Sequence, residues 1–316
     1  MPAKKTKPQE PEPEKKSSKF TPEVIIAIIG LIGTVVTAIV APIVVESWKS
    51  NTAAPTVAAT EMPTTQIADT PNAGIQAFTP VISPGDVVDS KGIIMAYVPA
   101  GKFTMGSDRV DDERPPHEVY LDAYYIDKYE VANSLYNVCV EIGICRLPSD
   151  IRHFSDPKYA NHPVVYVDWE MAQRYCEWRG IHLPTEAEWE KAARGTDDRL
   201  YPWGNAISCE QANYANCVGD TTDVGKYQSG ASPYGIYDMG GNVWEWVADW
   251  YLSDYYQILE SSFSNPQGPS FGEDKTKRGG DWNDESIWLI VSKREHSSAS
   301  YYSKTTGFRC AKDANP

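Results

Sequence analysis

Two short signatures near the C-terminus frame the residues best suited to chemistry. Arg278-Gly279-Gly280 opens the segment and Gly307-Phe308-Arg309-Cys310 closes it. Between them stand Asp281, Trp282, Asn283, Asp284, Trp288, His296, Tyr301 and Tyr302, with neither a cysteine nor a methionine. Carboxylates and amides beside indole and phenol rings suit recognition of a sugar, a peptide or a protein, because the rings supply apolar area with a polar edge. Trp282 and Trp288 are also large enough to serve a core, and sequence leaves that open. No nucleophile–base pair, two-histidine metal motif or phosphate loop points to a different catalytic class.

The charge balance narrows the partners. The chain of 316 residues carries 43 acidic against 29 basic residues, a net charge of −14. Nucleic acid is therefore not an expected partner, since phosphate binding needs clustered Lys and Arg. A hard cation such as calcium is compatible, although a solvated acidic surface explains the same number. The five histidines (His117, His153, His162, His182, His296) are scattered and no C-x-x-C occurs, so zinc is not expected.

These residues need an element to place them outside the cytoplasm, and one is visible. Residues 25–45, IIAIIGLIGTVVTAIVAPIVV, are apolar, uncharged and long enough to span a bilayer. Thr21-Pro22 supplies a helix start and Trp48 an interfacial aromatic. Lys4, Lys5, Lys7, Lys15, Lys16 and Lys19 precede the span and only Lys49 closely follows it. The positive-inside tendency then gives an uncleaved signal anchor with a cytoplasmic N-terminus. The expected organisation is a disordered cytoplasmic tail (1–20), a single-pass anchor (21–48), a Thr/Ala/Pro-rich linker (49–90) and an extracytoplasmic domain (91–316).

Six cysteines all follow the anchor, and an even number in an exported domain suggests disulfides. Cys139 and Cys145 are close, as are Cys209 and Cys217, which leaves Cys176 and Cys310. Number alone does not settle connectivity. Within the domain, strands are expected at 94–98, around 101–107 and across 117–126. Helices are expected from Asn133, from Asp168 as N-cap through Trp178, and from the Thr185–Glu188 capping box to about Arg194. Beyond Arg194 the chain reads as turns and aromatic dipeptides, so the fold class is α+β with much irregular backbone.

The order of the motifs carries a resemblance. Met105-Gly106-Ser107, Asp112-Glu113-Arg114-Pro115 and Tyr129-Glu130-Val131 lead to His162-Pro163-Val164 and the 169–178 helix. Leu183-Pro184-Thr185-Glu186-Ala187-Glu188-Trp189-Glu190, Pro202-Trp203-Gly204-Asn205 and Gly241-Asn242-Val243-Trp244-Glu245-Trp246 follow, before the two C-terminal signatures. This ordered set resembles the formylglycine-generating enzyme, or sulfatase-modifying factor, family over nearly all of 93–314. The resemblance implies a C-type-lectin-like fold and a Cys176–Cys310 disulfide; a second family disulfide is absent because its position is Ala193. It implies one structural calcium on Asp238, Glu245 and the carbonyls of Gly241 and Val243, and another beginning at Asn213 with the Tyr214 carbonyl. It also implies oxidation of a substrate cysteine by copper(I) held on two thiolates. Those positions fall near Asp284 and Leu289, and the family's active-site serine is Asp281. Carboxylates and aliphatic groups do not suit copper(I). The sequence therefore favours a non-catalytic binding module. A divergent oxidase, a diversified surface-binding protein of a retroelement system and a structural or sensor ectodomain are the alternatives.

Overall fold

A computed structural model describes residues 82–258 and 263–315. The expected tail and anchor, and nearly all of the linker, lie outside them. Among the described residues no helix is long and apolar enough to cross a membrane.

The strands are β1 (Val87–Val88), β2 (Ile94–Val98), β3 (Gly101–Met105), β4 (His117–Leu121), β5 (Tyr124–Asp127), β6 (Trp244–Trp250), β7 (Phe263–Ser264), β8 (Asp274–Arg278), β9 (Glu295–Ser298), β10 (Thr306–Phe308) and β11 (Ala311–Asp313). The helices are α1 (Asn133–Glu141), α2 (Trp169–Trp178), α3 (Glu186–Arg194) and the single turn α4 (Tyr255–Ile258). They make an α+β domain of three small sheets, ordered β1-β2-β5-β11, β10-β6-β8-β9 and β3-β4-β7. The stretch expected as one strand over 117–126 is two. β4 pairs with β3 while β5 pairs with β2 and β11, so the chain changes sheets at Asp122, whose N–H donates to Asn265 Oδ1. Packed structure also begins upstream of residue 91. β1 pairs with β2, and the buried Lys128 ammonium holds Asp86 Oδ2 at 2.7 Å and Ser83 Oγ at 2.9 Å.

The helices follow their local signals. Asp168 accepts from Met171 N–H at the start of α2, and Thr185 and Glu188 form a complete capping box at the start of α3. α3 is buried along its whole length. Its acidic face meets Arg278, whose guanidinium bonds Glu186 Oε1 at 2.8 Å and Glu190 Oε2 at 2.5 Å. Arg294 completes the cluster on Glu186 and Arg194 on Glu190. Buried charge of this kind holds only when every partner is present.

The two glycines after Arg278 are required by space. Gly279 has φ +103° and a Cβ there would lie 3.2 Å from the Trp189 ring. Gly280 has φ +75° and a Cβ would meet the Leu289 side chain at 2.8 Å and the Trp288 carbonyl at 3.0 Å. This close approach turns the chain out of β8 and sets Asp281–Asp284 beside β6. Three disulfides join Cys139 to Cys145, Cys176 to Cys310 and Cys209 to Cys217, and none of the six cysteines is free.

Candidate functional site

The 281–284 turn is held from both sides. Asp284 Oδ2 accepts from Trp244 Nε1 at 2.8 Å and from the Asp281 N–H at 3.2 Å. Asp281 Oδ1 accepts from the Asn283 N–H at 2.8 Å, and Asn283 Oδ1 accepts from Asn216 Nδ2 at 3.2 Å. Burial raises both carboxyls, and the Asp281 charge helps push Asp284 up to about 6. Trp288 stands edge-on to Trp244 at 6.2 Å. Trp282 is buried, its indole N–H has no partner, and the Lys304 ammonium lies 4.6 Å over its ring.

A lysine that sequence reasoning missed lies beside this turn. Lys277 of β8 is buried, with its ammonium 5.1 Å from the Tyr301 ring and 5.8 Å from the Trp244 ring. Burial lowers its pKa, while Glu295, Asp281 and Asp284 oppose the shift. The register Trp246↔Lys277 puts Lys277 on the face of the sheet that carries Trp244 and Trp246. The one local signal was the alternation Lys275, Lys277 in β8. Behind Trp282 opens a cavity of about 270 Å³ lined also by Arg152, His153, Asp220, Tyr166 and Lys304. Apart from His153, one of the scattered histidines, none of these stood out in the sequence, because each comes from a loop without periodicity.

The other expected binding residues divide. Tyr301 and Tyr302 are exposed, 45% and 51%, and extend the aromatic rim. His296 does not join it. It pairs with Thr276, one residue out of step with Lys277, so it faces the other side of the sheet. There it stacks on Tyr251 at 4.0 Å and meets Asp274 Oδ2 at 2.7 Å.

At the expected oxidase positions neither residue offers a soft donor. The Asp284 carboxylate is engaged as above, and Leu289 is wholly buried in a cluster with Tyr201, Ala212 and Ile290.

The calcium expectations meet two different settings. Glu245 is spanned by Arg309, with Nε to Oε2 and Nη2 to Oε1 both at 2.6 Å, and also accepts from Trp189 Nε1. Asp238 Oδ2 accepts from the Gly225 N–H. Glu130, beside both, holds the Gly241–Val243 turn through Asn242 Nδ2 and the Val243 N–H. Burial, then Asp238 and Glu245, raises Glu130 well above the carboxylate range. An ion at this set would have to share Glu245 with Arg309. In the second set the Tyr214 carbonyl accepts from the Cys217 N–H, but Asn213 Oδ1 is buried with no partner. That orphaned hard oxygen fits a calcium ligand.

An α+β domain of short sheets, closed by a Gly-Phe-Arg-Cys strand over a Gly-Asn-Val-Trp-Glu turn, defines the class, and relatives agree. Residues 87–314 match the family described as "Sulfatase-modifying factor enzyme 1-like domain", and the chain belongs to it. It is 38% identical over 236 residues to "Serine/threonine-protein kinase pkn1" of Chlamydia caviae, covering 69% of this chain and 38% of that one. It is 32% identical over 286 residues to "Formylglycine-generating enzyme" of Mus musculus, covering 70% and 76%. Among solved structures it resembles PvdO from Pseudomonas aeruginosa at 27% identity and a TM-score of 0.62, covering 74% and 100%. The chain thus spans little more than a third of the chlamydial relative's length.

Proposed function

We propose that this chain is a single-pass membrane protein whose sulfatase-modifying-factor-like domain stands outside the cell and binds a ligand without catalysis. The observation that carries this reading is the fate of the thiols: all six cysteines pair with one another. A bonded carboxylate and a buried leucine stand where the family's copper-binding thiolates are expected. In their place the face offers Asp284 and the rings of Trp288, Tyr301 and Tyr302, with Asp281, Lys277 and Trp244 buried beside them. Rings flanked by carboxylates suit a peptide, protein or glycan whose cations or hydroxyls reach Asp284. Anchoring rests on the 25–45 apolar run and its lysine bias. A divergent oxidase is the second reading, favoured by the likeness to the mouse enzyme.

The test applies intact cells displaying the chain to peptide and glycan arrays, which also requires the domain to face outward. Wild-type cells adhere to a ligand class. Asp284→Asn and Tyr301→Ala each weaken adhesion about tenfold, the loss of one good anchor. Because a raised carboxyl is ionised only above its pKa, adhesion through Asp284 is full at pH 7.5. It declines as pH falls through about 6, and Asp284→Asn lacks that step. Adhesion indifferent to both substitutions and to pH would remove this face from the account.

Calcium is proposed as a structural ion at Asn213. A chelator should lower the melting temperature of the wild-type chain and restored calcium should raise it, with Asn213→Ala losing the response. An equal response in the variant rejects Asn213 as a ligand.

A further inference from the structure

The acidic cavity against β5, β11 and the start of α3 has no role in the recognition face and shares no lining residue with it. It encloses about 670 Å³, and its wall includes Asp122, His182, Thr185, Glu188, Asn265 and Asp313. Three carboxylates and one imidazole line it, and no Lys or Arg does among the described residues. Asp122 is used structurally, since its Oδ2 accepts from Asn265 Nδ2 at 2.8 Å. The remaining three groups converge. One ligand atom from each of His182, Glu188 and Asp313 lies within 4.8 Å of the other two, the only such trio of His, Cys, Asp or Glu among the described residues.

Each member is placed by backbone it does not control. His182 exchanges two hydrogen bonds with Ala311, its N–H to the Ala311 carbonyl at 2.9 Å and the Ala311 N–H to its own carbonyl at 2.7 Å. That bridge fixes it beside β11, and Asp313, two residues after Ala311, points to the same side of the strand. Glu188 is fixed by the capping box, where its Oε2 accepts from the Thr185 N–H at 2.8 Å and lies 3.5 Å from His182 Nε2. No carboxylate oxygen of Asp313 has a hydrogen-bonding partner among the described residues. Bonds of about 2.0–2.2 Å from a central ion put tetrahedral donors roughly 3.4 Å apart, and the His182–Glu188 pair stands at 3.5 Å.

We propose that His182, Glu188 and Asp313 bind one divalent transition-metal cation, with zinc as the representative ion. An imidazole nitrogen with two carboxylates suits such an ion better than calcium, which takes oxygen donors, or copper(I), which takes thiolates. Three protein ligands leave a fourth position open to the cavity for water or a small anionic group. The site was invisible in the sequence because Asp313 reaches the other two through the His182–Ala311 bridge, which joins residues far apart in the chain.

The test uses the full-length chain in detergent, stripped with chelator and titrated with zinc chloride by calorimetry, with metal content measured after dialysis. The expected result is one zinc per chain and a raised melting temperature. His182→Ala and Asp313→Asn should each weaken zinc binding about tenfold or more. Asp313 is exposed and its change to Asn is isosteric, so this variant keeps the test valid if His182→Ala fails to fold. The calcium response of Asp313→Asn should match wild type, which separates this site from the one at Asn213. Absence of zinc binding, or equal zinc binding by wild type and Asp313→Asn, overturns the proposal, as it would if His182 and Glu188 formed only an ion pair.

Discussion

Arg309→Met is expected to cost about 3–5 kcal/mol of stability, the scale for leaving a buried charge without its partner. The guanidinium is fully buried and spends its donors on Glu245 and on the carbonyls of Asp127 and Tyr237, at 3.0 and 2.9 Å. Its loss leaves Glu245 facing Glu130 and Asp238 with no cation between them, and burial has already raised the last two. Domains hold only about 5–15 kcal/mol in total, so this one change takes a large share. A second substitution, Glu245→Leu, should recover part of the loss, because it removes the abandoned charge. Urea unfolding of the two single variants and the double variant checks this. A cost below about 1 kcal/mol for Arg309→Met would mean that the cluster is neutral or well hydrated.

Cys176→Ser with Cys310→Ser is expected to be comparably damaging. The pair closes a loop of sequence separation 134, for which chain entropy predicts about 4–5 kcal/mol. Removing Cys139–Cys145, with separation 6, should cost about 2–3 kcal/mol. The ordering is the informative part, since both bridges pack in the same core cluster with Tyr136, Tyr175 and Phe308. Denaturant midpoints of the two double variants measure it. A larger loss for the short loop would show that packing, rather than loop closure, sets the value.

The scaffold was readable where local chemistry is strong. The Asp168 cap, the Thr185–Glu188 box and the Arg-Gly-Gly and Gly-Phe-Arg-Cys signatures all act over a few residues, and each occupies its expected place. The two close cysteine pairs were legible for the same reason. What sequence could not give was register. Lys277 is an ordinary charged strand residue until β6 sets Trp246 opposite it, and His296 looks like a neighbour of Tyr301 until the pleat turns it away. The break between β4 and β5 escaped because 117–126 alternates across a change of sheet. Trp282, undecided by sequence, is buried with one face under Lys304, so it both fills the fold and floors the small cavity.

Recognition rather than oxidation is the role proposed for this face. The most direct measurement incubates the full-length chain with copper(I), oxygen and a cysteine-containing peptide, then reads protein-bound copper and the peptide mass. Copper(I) needs soft donors, and every thiol of this chain is committed to a disulfide. The expected result is no stoichiometric copper and no conversion of the peptide cysteine to an aldehyde. One copper per chain with repeated turnover would contradict it and make the chain an oxidase.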